Sequence, residues 1–406
     1  MKKFIMYGAG NIGRGFIGKL FSESGYEVGF VDINQEFINK LNTDKEYPVS
    51  VVSNDGVQEI IVKNVYGIDG KDIELVAEEI SKAEIMATAI GVNVLKFIAK
   101  PIALGLKKRF ERNEKPFNII ICENLIGADE FLRGLIKEQI PEYADRGEKE
   151  IGFVEASIGR MVPVMTEEKR MGNILRVCVE PYNILPVDKD AFKGEIPTDV
   201  KNLYPYSPFN MFIQRKLFMH NMSHAVCAYL GNLIGCEYIY EAIADFDVKY
   251  VAYRALVQSA LAVSKENGVE IDQLLDHAEN LFYRFTNKSL ADTVARVGKD
   301  TKRKLSANDR LIGAIRLCDK FSVPCEYLCI GVAAGMFFEP DGDDSSKELC
   351  AYAKEFGAKE TLKKYSEYDG RMSGLIADLY DMIKNGKQIS ALVKFCDEYA
   401  GKELRV

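Results

Sequence analysis

The sequence predicts an α/β chain whose first half is a doubly wound parallel sheet and whose second half is mostly α-helical. Three observations carry that expectation. A short apolar strand, Phe4 to Tyr7, turns through Gly8-Ala9-Gly10-Asn11-Ile12-Gly13 into a helix-like stretch and a second strand that reaches Asp32. Strand and helix periodicities then alternate, the rhythm of βαβ units. Past a proline-punctuated stretch, the apolar spacing becomes that of helices alone. The 406 residues suit two large domains, and the boundary is expected near residue 195, giving 1–195 and 196–406.

The first elements are the most informative. Gly8 lets the chain turn off its strand, Gly10 lets backbone approach a pyrophosphate, and Gly13 lets the helix lie close on the sheet. The helix N-terminus then faces the phosphates. Asp32 ends the strand that begins at Glu27, where a carboxylate accepts hydrogen bonds from an adenosine ribose. A 2′-phosphate there would meet a negative charge. This Rossmann-type fingerprint therefore predicts NAD rather than NADP, held by Gly8, Ala9, Gly10, Asn11, Ile12, Gly13 and Asp32. Arg14 and Gly15 suit a helix start near phosphate, although Arg14 equally suits a solvated surface.

Further elements follow in order. A helix is expected near Gln35 to Leu41, strands at Tyr47 to Ser53 and Gln58 to Val65, a helix at Ile73 to Ser81 and a strand at Ile85 to Ala89. Thr88 and Gly91 close that strand where loops approach a dinucleotide. A helix at Val94 to Phe110 leads to the apolar strand Phe117 to Cys122, which stops at Glu123-Asn124, on the ligand side of such a sheet. Residues 152–187 read as strand-rich, with Ile174 to Val179 the clearest case. Pro181, Pro186, Pro197, Pro205 and Pro208 follow, and helices are then expected at Ile213 to Leu230, Val248 to Asn267, Ile271 to Tyr283, Ala307 to Cys318 and Lys347 to Phe356.

Composition narrows the function. A net charge of -7 leaves no basic field for a polyanion, which disfavours nucleic acid. No apolar run reaches membrane-spanning length, and the chain enters its first strand at once, so a cytoplasmic location is expected. Nine scattered cysteines fit reduced core thiols, and Cys325 with Cys329 reads as core packing rather than a zinc site. Three histidines, His220, His224 and His277, are too few for a histidine-rich metal centre. The acidic run from Glu339 to Asp344 lacks EF-hand spacing and reads as a surface turn.

The helix opening the second half carries Lys216, Asn221 and His224. At α-helical spacing they fall within an arc of about 140° and can face one cleft. Alcohol oxidation by hydride transfer needs a base for the hydroxyl proton and donors for the developing alkoxide, and a desolvated lysine supplies the base without a metal. Asn221 and Asn124 would hold the oxygen, and His224 would orient a neighbouring hydroxyl. From spacing alone, a solvated lysine, a surface amide and a core histidine are the favoured reading.

The fingerprint extended through Arg14-Gly15-Phe16-Ile17-Gly18, Cys122-Glu123-Asn124, the Lys216 to His224 helix, and Arg303-Lys304-Leu305 with Asp309-Arg310-Leu311 together resemble the polyol-specific long-chain dehydrogenases, the mannitol dehydrogenase family. The resemblance runs from residue 2 to about 340. It implies a Rossmann domain followed by a helical substrate domain, and an NAD-dependent, metal-independent interconversion of mannitol 1-phosphate and fructose 6-phosphate. It casts Lys216 as base, Asn221 and Asn124 as groups around the reacting oxygen, and His224 as a substrate-orienting residue. Reduction of a sugar acid such as fructuronate or tagaturonate, oxidation of an unphosphorylated polyol, and noncatalytic sensing on the same scaffold are the alternatives.

Two departures bear on the substrate. Where the family carries Val-Asp-Arg-Ile this chain has Ile158-Gly159-Arg160-Met161, so a carboxylate is missing and the pocket is expected to be roomier there. The family's Glu-Trp after Val-Glu-Pro is replaced by Tyr182-Asn183. A basic cluster, Arg296, Lys299, Lys302, Arg303, Lys304 and Arg310, suits either a substrate phosphate or a solvated helix face; Arg303, Lys304 and Arg310 match the family pattern best.

Overall fold

The computed structural model describes residues 1–125 and 127–403. It divides into two compact units between Phe209 and Asn210. The elements of the first are β1 (Lys3–Tyr7), a π-helical turn (Gly13–Gly18), α1 (Lys19–Glu23), β2 (Glu27–Asp32), α2 (Gln35–Asp44), β3 (Glu46–Ser53), β4 (Gly56–Lys63), β5 (Val65–Asp69), α3 (Ile73–Lys82), β6 (Ile85–Thr88), α4 (Leu95–Glu111), β7 (Phe117–Ile121), α5 (Ala128–Gln139), α6 (Ala144–Glu150), β8 (Ile151–Glu155), α7 (Glu167–Arg170), β9 (Val177–Val179), β10 (Leu185–Asp188) and β11 (Leu203–Tyr206). Six strands form one parallel sheet in the order β5-β2-β1-β6-β7-β8. This is the doubly wound sheet expected.

The period-2 alternation of each strand explains its two layers. Phe4, Met6, Val28 and Phe30 enter an apolar cluster with Phe16, Leu20, Leu41, Val49 and Val177. Ile5, Tyr7, Val31 and Ile119 enter another with Val76, Ile80, Ile102, Leu106 and Leu132 of α3, α4 and α5. Burial on both faces is why these strands read as continuous apolar runs.

Four expectations change here. The stretches around Tyr47–Ser53 and Gln58–Val65 leave the parallel sheet for a separate three-stranded one, β4-β3-β9, in which β4 is exposed along most of its length rather than buried on both faces. Val65 begins a new strand, since Asn64 takes a left-handed φ of 56° and turns the chain. The expected strand from Ile174 shortens to Val177–Val179, because the Asn173 side chain and carbonyl accept from Leu175 and Arg176 N–H and make a turn. The expected boundary near 195 falls inside the parallel pair β10 and β11, whereas the compact unit continues to Phe209.

The second unit is helical: α8 (Asn210–Gln214), a π-helical turn (Arg215–Asn221), α9 (Met222–Leu233), α10 (Ile239–Ala242), α11 (Phe246–Asn267), α12 (Ile271–Phe285), α13 (Val294–Gly298), α14 (Thr301–Lys304), α15 (Ile312–Lys320), α16 (Glu326–Gly335), α17 (Asp344–Ser366, broken at Gly357), α18 (Ser373–Lys384) and α19 (Ile389–Glu403). The helix expected from Ala307 begins only at Ile312, after turns through Ser306 to Leu311. All of α16 is buried, so it shows no polar face and no amphipathic period by which to find it. The acidic turn ends in Asp343, which caps α17 by accepting from Ser346 N–H and also accepts from Asp300 N–H.

Candidate active site

In the first unit, the fingerprint glycines are separable by what a side chain would meet. A Cβ on Gly13 would stand 2.0 Å from the Gly8 carbonyl oxygen, and one on Gly8, at φ +108°, would stand 2.5 Å from that of Ala89. A Cβ on Gly10 would meet nothing within 4 Å. Gly13 thus serves packing of the turn on itself and Gly8 its packing against the loop after β6, while Gly10 is exposed and leaves bare backbone for a ligand. Asn11 and Ile12 are half-buried beside it, and Ala9 is buried. Gly15 lies against Val177 and Val179, so its smallness serves contact with β9 rather than phosphate.

Arg14 fits neither expected reading. It is 1 % exposed, its Nε donates to the Leu175 carbonyl at 3.0 Å, its Nη1 donates to that of Ala9, and its guanidinium lies over the Phe37 ring. Burial lowers its pKa to about 10. It is an internal brace of the turn.

Three carboxylates at the C-terminal rim of the sheet share one geometry: each reaches from its own strand to the loop after the neighbouring strand. Asp32, ending β2, accepts from Ala9 N–H at 2.8 Å and from Asn34 N–H at 3.0 Å. Glu123, just past β7, accepts from Ile90 N–H at 3.0 Å and Gly91 N–H at 2.8 Å. Glu155, ending β8, accepts from Gly127 N–H at 3.2 Å. Asp32 therefore fastens the glycine turn, a role beyond the ribose contact expected of it. Glu123 and Glu155 were missed as site residues; their signal was an acid at the end of an apolar strand. Among the expected residues, Gly91 has φ +89° and open space around its Cβ position, Thr88 is buried with no hydrogen-bond partner for its hydroxyl, and Asn124 is exposed just past β7. The bare Gly10 and Gly91 backbone and the waiting Thr88 hydroxyl fit an extended dinucleotide along this rim.

Gly159 is not the roomier spot expected. The Tyr182 ring edge lies 3.2 Å from where its Cβ would stand, with the phenol oxygen at 3.7 Å. The two departures from the family pattern therefore meet, one filling the gap left by the other. Arg160 beside them is buried and donates to the carbonyls of Glu180 and Gly15.

In the second unit, Lys216 and Asn221 lie on the π-helical turn, whose hydrogen bonds run i to i+5. Residues five apart then stack on one face, so Lys216 and Asn221 align more closely than the 140° arc of a regular helix allows. His224 follows one helical turn on, at i+3 from Asn221. Hydroxyls also reach carbonyls of the turn: Ser223 Oγ donates to Met219 at 2.7 Å, and Ser259 Oγ to Phe218 at 2.7 Å.

The Lys216 charge acts on all three histidines, His220, His224 and His277. Burial pushes the His224 pKa down to about 4, so its imidazole is neutral at pH 7. Asp292 Oδ2 stands 3.5 Å from its Nε2, a Coulombic contact without hydrogen-bond alignment, and Nε2 has no hydrogen-bond partner. The ring stacks on Phe285, with centroids 4.8 Å apart. A neutral imidazole with a buried, unused nitrogen can hold a hydroxyl.

The basic cluster is largely matched from within. Arg303 pairs with Asp300 at 2.6 Å and Asp309 at 3.1 Å, Arg310 pairs with Asp309 at 2.7 Å, and Arg296 pairs with Asp292. Lys304 is 4 % exposed and donates to the Lys299 carbonyl, its pKa lowered to about 7 by burial and by Arg310. It is turned inward. Arg310 and Arg296 are close enough for their charges to act on His224. Among the described residues no group of three or more His, Cys, Asp or Glu is arranged to hold a metal ion. None of the described helices is long and apolar enough to cross a membrane.

Comparison with known proteins agrees with this arrangement. The mannitol dehydrogenase Rossmann domain model matches residues 2–199, and the mannitol dehydrogenase C-terminal domain model matches 209–391. The chain is 34 % identical over 390 residues to a mannitol-1-phosphate 5-dehydrogenase of Thermoanaerobacter pseudethanolicus, covering 96 % of this chain and 98 % of that one. To the enzyme of the same name from Geobacillus stearothermophilus it is 36 % identical over 369 residues, covering 90 % and 95 %. Among solved structures, a substrate-free D-sorbitol dehydrogenase matches with a TM-score of 0.81 at 15 % identity, covering 96 % of this chain and 94 % of that one. The Pseudomonas fluorescens mannitol 2-dehydrogenase complex with NAD and D-mannitol matches at 0.76 and 15 %, covering 98 % and 94 %, so both share the fold. With a fingerprint rim in one unit, a lysine-centred helix in the other and both domain models matched in order, the chain belongs to the mannitol dehydrogenase family.

Proposed function

We propose that this family member, an NAD-dependent polyol dehydrogenase, interconverts mannitol 1-phosphate and fructose 6-phosphate. The observation that carries the reading is the Lys216 face: a lysine and an asparagine stacked by a π-helical turn, next to a neutral histidine whose Nε2 has no hydrogen-bond partner. Lys216 takes the hydroxyl proton in oxidation and returns it in ketose reduction. Asn221 and Asn124 donate to the reacting oxygen, and His224 orients a neighbouring hydroxyl. NAD, when bound, supplies the hydride acceptor. The proton moves on the protein's own groups, so no metal is required.

Arg310, with Arg296 and Arg303, is the proposed phosphate side. Arg310 supports it best, since its charge reaches His224 while its ion pair with Asp309 leaves guanidinium donors for an oxyanion. Lys304 is left out of this set because it faces inward. Gly159 favours a second reading, reduction of a sugar acid, because the missing carboxylate removes a repulsion for an anionic carbon chain. The nine cysteines are all free and eight are buried, which suits a cytoplasmic location.

NADH oxidation measured against fructose 6-phosphate, fructose, fructuronate and tagaturonate separates these readings. Turnover of fructose 6-phosphate is expected. Turnover of the uronates alone would replace it with the second reading, and NADH binding without any turnover would point to a sensor.

A further inference from the structure

We propose that Asp292 is a further substrate-binding residue: its carboxylate and the Nε2 of His224 together clasp one hydroxyl of the sugar, beside the reacting carbon. The proposal rests on the reading that the Lys216 face holds the substrate. It begins from an incomplete contact. Asp292 Oδ2 stands 3.5 Å from His224 Nε2 without the alignment of a hydrogen bond, and that nitrogen has no hydrogen-bond partner. The two side chains are 14 % and 9 % exposed for His224 and Asp292, so the pair is not sealed in the core. The other carboxylate oxygen, Oδ1, accepts from Arg296 Nη2, four residues on. Paired with Arg296, the carboxylate adds no net charge that would repel an anionic sugar.

The segment that presents Asp292 is held rigidly. Ala291 takes a left-handed φ of 50°, which residues with a Cβ avoid. Ties on the far side keep it there. The Asp292 carbonyl accepts from Ile239 N–H at 2.9 Å, Val294 N–H donates to the Glu237 carbonyl at 2.8 Å, and Thr293 pairs with Tyr238 in an antiparallel bridge. Thr293 Oγ1 also caps α13, accepting from the N–H of Arg296 at 3.2 Å. Opposite, the His224 ring lies on Phe285 with 13° between their planes, which fixes the plane in which Nε2 points. Backbone strain is thus maintained where it aims a carboxylate at an unsatisfied nitrogen, as in a built site. A neutral imidazole facing a carboxylate carries its proton on the facing nitrogen, so Nε2 is the donor and Oδ2 the acceptor. A hydroxyl satisfies both at once, accepting from Nε2 and donating to Oδ2. A carbonyl oxygen only accepts, and a methylene does neither. The clasp therefore selects an alcohol next to the carbonyl that Lys216 and Asn221 serve.

The test compares wild type with Asp292→Ala in NADH-dependent reduction of fructose 6-phosphate and of its 1-deoxy and 3-deoxy analogues, each lacking one hydroxyl beside the carbonyl. In wild type, kcat/KM is expected to fall about 10- to 100-fold for one of the two analogues. Asp292→Ala should lose as much with fructose 6-phosphate itself and little more with that analogue, because both changes remove one interaction. NADH affinity should be unchanged. A purely structural role, confined to the pair with Arg296, would lower kcat/KM for all three sugars by one factor and leave the deoxy penalty at full size. That result, or wild-type turnover by Asp292→Ala, overturns the proposal. Should Asp292→Ala not fold, Asp292→Asn makes the same comparison: its oxygen keeps the bond to Arg296 and its NH2 faces His224, so the deoxy penalty should fall there too. Nitrogen-15 NMR of histidine-labelled protein, with the His224 signal identified by its loss in His224→Gln, reads the pair without substrate. Nε2 should carry the proton at pH 7. A bare Nε2 overturns the proposal, because it and Oδ2 would compete for the single proton of the hydroxyl. If wild type reduces no fructose 6-phosphate while Nε2 is protonated, it is the proposed substrate that fails, and the same comparison on the sugar it does reduce decides the clasp.

Discussion

The π-helical turns Gly13–Gly18 and Arg215–Asn221 use one backbone device for opposite ends. In both, carbonyls of the turn also accept from side chains, three of them from distant segments and one, Ser223, from the next turn of the same helix. Tyr47 and Arg160 donate to Arg14 and Gly15 in the first; Ser223 and Ser259 donate to Met219 and Phe218 in the second. The first turn is built from Gly13, Gly15 and Gly18, whose missing side chains let it press on Gly8, on Val177 and Val179, and on Phe30. The second has no glycine and carries Lys216 and Asn221, the proposed base and its neighbour. One turn works by absent side chains and the other by aligned ones. Substitutions in the first should therefore act through packing and cofactor affinity, and those in the second through turnover.

The largest effect expected is from Lys216→Ala, with kcat down about 10²- to 10⁴-fold and NADH affinity, measured by fluorescence titration, nearly unchanged. Retained turnover would remove Lys216 from the base role. Within the glycine turn the contrast is internal. Gly13→Ala drives a Cβ into the Gly8 carbonyl and should cost about 1–3 kcal/mol in denaturant unfolding as well as NADH binding. Gly10→Ala meets open space, so it should weaken NADH binding with stability unchanged. Equal destabilisation by both would break the assignment of separate roles.

Smaller effects come from the side chains that cap the turns. Tyr47→Phe leaves the buried Arg14 carbonyl without its donor and should cost about 1–3 kcal/mol. Ser223→Ala should cost less, about 1 kcal/mol, yet lower kcat, because the register of Lys216 and Asn221 loosens. If kcat is unmoved, the π-helical register does not serve catalysis. The smallest effect concerns pH. The His224 pKa is depressed from 6.5 to about 4, so as pH falls through that range the unfolded chain takes the proton first and stability is lost. His224→Gln should flatten the acid limb of thermal stability between those values, with His220 and His277 supplying the remainder.

Much of this was legible in the residue order, and the illegible parts have a common character. The sheet strands announced themselves because double burial makes them apolar throughout, and the helices α11 and α12 because one face stays wet. The wholly buried α16 gave no period. Lys216, Asn221 and His224 were singled out by type, spacing and resemblance, but α-helical spacing underestimates how closely Lys216 and Asn221 align on a π-helical turn. Arg14 looked like a ligand or surface group and is neither, because the acceptor that buries it, Leu175, lies in another segment.

The sequence by itself determined the glycine turn, the acid at Asp32, the alternation of strand and helix, and the family. These rest on local causes: which φ a residue tolerates, and which face of an element must leave water. Only the tertiary structure decided that Asp32, Glu123 and Glu155 each tie a neighbouring loop, that Tyr182 covers Gly159, and that the Lys216 charge acts on all three histidines. Those contacts join residues far apart in the chain, and it is burial, by removing water as the alternative partner, that makes each polar group depend on the one it meets.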